Sequence, residues 1–164
     1  PFSIRDASLR IEAHAHTYAF FRYPIETQAH GLVLKASQGT DAGMSWGAGA
    51  LLRFADGASL RIGTRGDGLV QTDILGEQRC LSALNVNDWV WLRARWGTRW
   101  GAVEYSRDGH SFERLQSFDH RGRFGQRAVE LLVGKVPYNG QANDHTEVGP
   151  VGHCNIEFVH VYGE

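Results

Sequence analysis

The sequence predicts an all-β fold, an antiparallel β-sandwich, and three observations carry that prediction. Apolar and polar residues alternate in run after run, which is the period of a strand with one buried face. Asp-Gly pairs separate adjoining runs at Asp56-Gly57, Asp67-Gly68 and Asp108-Gly109, and both residue types accept the positive φ of hairpin turns. The 164 residues include 20 glycines, 4 prolines, 8 phenylalanines and 5 tryptophans, a composition suited to short strands and tight turns. No stretch shows a convincing helical period. The length suits one domain with its own core.

The first alternating run covers 9–20. Its odd positions are mostly small and apolar, and its even positions read Arg10, Glu12, His14, His16, Tyr18 and Phe20. Read as one strand, it has a buried side and a polar, aromatic side. Apolar strands follow at 32–36, at 50–54 and 59–62 around Asp56-Gly57, and at 69–72. The segment 73–84 has room for a short helical turn. Strand 89–96 turns at Gly97-Thr98-Arg99 into 100–106, which turns again at Asp108-Gly109 into 112–118. Runs at 129–133 and 156–162 complete about ten strands. Strands near both chain ends favour a jelly roll whose first and last strands pair. Two connections, 37–49 and 137–154, are long enough to suggest function.

Charge narrows the partners. Seventeen basic residues against 18 acidic ones leave a net charge of −1, a poor match to nucleic acid or an anionic membrane surface. No apolar run approaches the roughly 18 residues of a membrane span. The sequence starts at Pro1 with no initiator methionine or leader, as an excised domain or processed protein would. Cys80 and Cys154 match no zinc spacing, and a disulfide and two buried thiols both stay open.

The stretch Trp89-Val-Trp-Leu-Arg-Ala-Arg-Trp96, followed by Val103-Glu-Tyr-Ser-Arg-Asp-Gly-His-Ser-Phe112, resembles the central hairpins of concanavalin-A-like lectin/glucanase domains. The closing Cys154-Asn-Ile-Glu-Phe-Val-His-Val-Tyr-Gly163 is similar to the last strand of their laminin-G-like members. The resemblance covers about a third of the chain and implies a jelly-roll sandwich. It implies little about activity, because the superfamily includes lectins, hydrolases, lyases and adhesion domains. Its glucanases carry catalytic acids on one strand as Glu-x-Asp-x-Glu, and this sequence has no such motif. Glu104 and Asp108 are four residues apart, but Asp108 belongs to a turn, which argues against ordinary retaining hydrolysis.

Candidate ligand residues fall in four groups. Spacing of two puts Arg10, Glu12, His14, His16 and Tyr18 on one side of a strand, where they would line a ligand groove or form a solvated outer face. Arg93 and Arg95 share a side with Trp89 and Trp91, which read as core before platform; Arg–Glu104 pairing across the hairpin is the structural alternative. Trp96 and Trp100 bracket a turn and would offer exposed rings to a pyranose, or cover a sheet edge. The loops supply Asp41 and Trp46, then Tyr138, Asn143, Asp144 and His145; Asn143, Asp144 and Glu147 would also suit a structural Ca²⁺.

The function expected from these residues is a non-catalytic carbohydrate-binding module within a larger secreted or periplasmic polysaccharide-processing protein. No cofactor is required, and the partners are an oligo- or polysaccharide and a neighbouring catalytic domain. A jelly-roll lyase or hydrolase is one alternative, since Arg10, His14, His16 and Tyr18 supply the residue types of lyase chemistry. A structural module packed on a catalytic neighbour is another.

Overall fold

The computed structural model describes residues 2–44, 47–83, 88–137 and 149–163. Its first seven strands are β1 (Phe2–Arg5), β2 (Ser8–His14), β3 (Ala19–Thr27), β4 (Gly31–Ser37), β5 (Ala48–Phe54), β6 (Ser59–Thr64) and β7 (Leu69–Ile74). Then come β8 (Glu77–Ala83), β9 (Val90–Trp96), β10 (Trp100–Ser106), β11 (Glu113–Asp119), β12 (Ala128–Lys135) and β13 (Val151–Tyr162). One sheet has the order β1-β2-β13-β4-β9-β10-β11 and the other β3-β12-β5-β6-β7-β8, with every pairing antiparallel. A 3-10 turn, Arg123–Gly125, is the one helical element among the described residues. The all-β sandwich read from the sequence is the fold observed.

The core lies between the two sheets. Leu32, Leu34 and Ala36 of β4 and Leu92 and Ala94 of β9 bury their side chains against Ala50, Leu52 and Phe54 of β5 and Leu60 and Ile62 of β6. Each large apolar side chain so removed from water stabilises by roughly 1.5–3 kcal/mol. At one end, Phe124 of the 3-10 turn is 0% exposed and stacks on Phe54 at 4.6 Å. The rings of Trp96, Phe118 and His120 surround it at 5.5, 6.1 and 4.9 Å. The Trp96 indole N–H donates to the Ala29 carbonyl at 3.0 Å, satisfying its polar atom inside the cluster.

A buried ion pair closes the other end. Lys135 Nζ donates to Asp41 Oδ1 at 2.7 Å and to the carbonyls of His14 and Ala15 at 2.8 and 2.9 Å, so all three ammonium protons have acceptors. Burial pushes the Asp41 carboxyl above its ordinary range, against the pull of Lys135.

This clamp explains the main departure from the sequence reading. Run 9–20 is not one strand: β2 stops at His14, and β3 begins at Ala19 in the other sheet. The His14 and Ala15 carbonyls turn to Lys135; the Ala15 N–H still donates to the Pro150 carbonyl in register with the β2–β13 pairing, but Pro150 has no N–H to return the bond. His16 and Tyr18 therefore leave the face of Arg10, Glu12 and His14, and Tyr18 packs beside Phe20 at 5.8 Å.

Segment 73–84 also differs, forming strand β8 where a helical turn had room. Leu75 and Gly76 both take positive φ, 55° and 84°, and the Gly76 N–H donates to Asp73 Oδ1. That hairpin hides from sequence reading because leucine seldom adopts such a backbone. The last strand, β13, pairs with β2 as a jelly roll requires. Cys80 on β8 and Cys154 on β13 lie in different sheets as free thiols, and burial pushes Cys154 up to about 12.

Candidate functional site

Strand registers lay the outer face of the seven-stranded sheet out in rows. Tyr162, Gly31, Arg95, Ala102 and Ser117 are neighbours across β13, β4, β9, β10 and β11. The next row reads His160, Val33, Arg93, Glu104 and Arg114, and the third Phe158, Lys35, Trp91 and Ser106. Alternation places these side chains outward because their strand neighbours Leu32, Leu34, Leu92, Ala94 and Val103 fill the core. A Cβ at Gly31 would fall 2.0 Å from the Tyr162 ring that lies across it, so any other residue there would displace that ring.

Glu104 organises the middle row. Arg93 Nε donates to it at 2.8 Å, and Arg95 donates through Nε and Nη2 at 3.0 and 2.9 Å. Burial works to raise the Glu104 carboxyl, but hydrogen bonds from Arg95 and Arg93 outweigh it and hold the group below its ordinary range. Arg93 also lies over Phe112, 3.8 Å from the ring centroid. Lys35 pairs with Glu157 and sits about 5.5 Å from the rings of Trp89 and Trp91.

A cleft of about 530 Å³ opens at the first row, lined by Arg95, Trp96, Gly97, Trp100, Gly101, Ala102, Arg114 and Ser117. Small residues make its floor, and Trp100, 61% exposed, makes a wall. The turn carrying Trp100 is pinned from below. His120 is fully buried, its backbone N–H donates to the Arg99 carbonyl, and the Gly97 N–H donates to the Trp100 carbonyl. Because the Phe124 N–H donates to His120 Nδ1, the ring is the Nε2–H tautomer and donates to the Gly97 carbonyl at 3.0 Å. Burial lowers the His120 pKa and keeps it neutral.

The structure sorts the sequence candidates. Arg93 and Arg95 stand together on the outer face, with Arg95 and Trp100 at the cleft. Trp96 is 6% exposed and serves the aromatic core, so it offers no free ring. Asp41 is spent on the Lys135 clamp and cannot reach a sugar. Arg10 and Glu12 pair with each other at 3.0 Å, three strands from β9, and His14 bonds the Gly149 carbonyl. Trp91, read first as core, lies on the outer face beside Phe158. Trp46, Tyr138, Asn143, Asp144, His145 and Glu147 lie outside the described residues. Among the described residues no cluster of three His, Cys, Asp or Glu side chains is placed to hold a metal ion.

Arg114, Ser117, His160 and Tyr162 join the face without having been singled out. Alternation along the closing strand and along 113–119 carried that signal, but only the cross-strand register shows which rows they complete.

No family model matches the sequence, and no curated protein matches it. Solved structures do. A functionally unknown protein from Saccharomyces cerevisiae superposes with TM-score 0.63 at 13% identity, covering 100% of this chain and 92% of the other. A laminarinase from Flavobacterium sp. UMI-01 gives 0.67 at 11% identity, covering 99% and 81%. A mutant of the GH43 protein BlXynB from Bacillus licheniformis gives 0.64 at 12% identity, covering 98% of this chain and 34% of the other. At such identities the likeness is one of fold alone: this chain shares the two-sheet, antiparallel jelly-roll sandwich of these structures.

Proposed function

We propose that this chain binds a saccharide in the cleft beside Trp100 and performs no chemistry on it. The carrying observation is an exposed indole standing over a floor of Gly101 and Ala102, in a turn held rigid by buried His120. A pyranose presents an apolar face to such a ring, while Ser117 and Arg95 offer donors at its edge. The fold shared with a laminarinase supports a glycan ligand in general terms.

The outer-face carboxylates of β10 and β11 support binding over hydrolysis. Glu104 is held ionised by Arg95 and Arg93, and Asp119 by hydrogen bonds from Arg99 and the Arg121 N–H. A glycosidase needs one carboxyl raised so that it can donate a proton. Both of these are shifted the other way.

Affinity electrophoresis against a panel of polysaccharides tests the reading. Retardation by at least one glycan is expected, and Trp100→Ala should weaken it about tenfold, ~1.4 kcal/mol of stacking. Because Trp100 is mostly exposed, the variant should melt within a few degrees of the parent. No retardation by any glycan, or undiminished retardation of the variant, would refute the cleft.

A further inference from the structure

Resting on that reading of the cleft, we propose that the saccharide it takes is anionic, bearing a carboxylate or sulfate that docks on the guanidinium groups around Trp100. The cleft lining contains no carboxylate and no side-chain amide, the groups that commonly bond the vicinal hydroxyls of a neutral sugar. Its charged members are Arg95 and Arg114.

Local charge is positive although the chain is not. Between Arg93 and Arg127 there are eight arginines and four carboxylates, within a chain of net charge −1. On the face itself, Glu104 lies between Arg93 and Arg114 in register and bonds Arg93 and Arg95. One negative charge therefore answers three positive ones. Arg95 commits Nε and Nη2 to Glu104, which fixes the plane of its guanidinium without using Nη1. Arg114 forms no ion pair among the described residues. A planar guanidinium held in place suits the paired oxygens of a carboxylate or sulfate.

Beyond the indole the charge is mixed. On the other side of Trp100 a second hollow, about 440 Å³, is lined by Arg79, Arg121 and Arg123 together with Glu77, Asp119 and Gln116. Asp119, Glu77 and Asp56 answer some of that charge through Arg99, Arg79 and Arg123. Trp100 thus stands as a ridge between two arginine-bearing hollows, with Arg99 against its own ring at 5.6 Å. A chain of acidic sugars crossing the ridge would stack one residue and present charged groups to either side.

Calorimetric titration distinguishes the possibilities with matched ligands. These are an oligogalacturonate, its methyl ester, a sulfated galactan, its desulfated form, neutral laminarin, and polyglutamate as an anion without sugar. Binding is expected to at least one acidic glycan, weakened tenfold or more by esterification or desulfation, and weakened several-fold by raising salt from 50 to 300 mM. The first two pairs tell carboxylate from sulfate. Arg114→Gln, at an exposed position, should weaken acidic glycans about three- to tenfold and flatten the salt dependence.

Trp100-dependent binding of laminarin or the uncharged forms, indifferent to Arg114→Gln, would overturn the anionic ligand and leave the saccharide cleft standing. Polyglutamate binding as tight as the acidic glycan would overturn it as well, and so would acidic-glycan binding unaffected by Arg114→Gln. Failure to bind any glycan would overturn both readings together.

Discussion

Lys135→Met is expected to cost about 3–5 kcal/mol of unfolding free energy, because it removes one partner of a buried ion pair and leaves the other uncompensated. The side chains of Lys135 and Asp41 are 1% and 2% exposed. The lysine also answers two backbone carbonyls that no ladder serves. Urea denaturation measures the loss as a lower midpoint at unchanged slope. The pH dependence carries a definite sign. Burial already raises the Asp41 carboxyl in the native protein, and without Lys135 only hydrogen bonds from Gly43 and Gln38 oppose that push. A raised folded pKa makes ionisation a penalty that is absent below the unfolded value, near 3.8, and grows as pH rises through the folded one. The variant's deficit should therefore shrink in acid. A double variant, Asp41→Leu with Lys135→Met, should recover part of the loss. A single-variant loss under about 1 kcal/mol would show that the pair is not buried as described.

Phe124→Ala is expected to cost a similar ~3–5 kcal/mol through the cavity it leaves among Phe54, Trp96, Phe118 and His120. Phe124→Leu keeps most of the volume and should cost less than about 1.5 kcal/mol. The two differ in a second respect. His120 stacks on Phe124 at 4.9 Å and 4° while holding the Gly97 carbonyl, so the alanine variant also loosens the support of the Trp100 turn. Thermal unfolding read by tryptophan fluorescence checks both. Equal melting temperatures for the two variants would mean that Phe124 fills no essential space.

What the sequence shows of this molecule follows from where the information lies. Alternation and Asp-Gly turns are local, so the strands from Gly31 to Thr64 and from Val90 to Asp119 are legible within a residue or two. The break at Ala15 is not, since its cause is a lysine 120 residues away. The edge strands β1 and β3 lack a clean two-residue pattern because both of their faces stay largely accessible. At the candidate site, the shared face of Arg93 and Arg95 can be read from spacing alone. The fates of Trp96 and Asp41 cannot, because each is decided by a partner from a distant segment: Phe54 and Phe124 for one, Lys135 for the other. Tyr162 and Arg114 reach the cleft rows only through pairings across the sheet.

The chain contains two lysines, and the sandwich gives them opposite chemical fates. Lys35 sits on the outer face in a partly exposed pair with Glu157, open to an amine-directed reagent in the native state. Lys135 is spent on three acceptors drawn from residues 14, 15 and 41, and its nitrogen has no free electron pair while the ends of β2, β4 and β12 remain together. A pulse of acylating reagent should mark Lys35 at once and Lys135 only as often as the whole structure opens. The ratio of the two labels, read by mass after digestion, then turns the molecule into a counter of its own unfolding events.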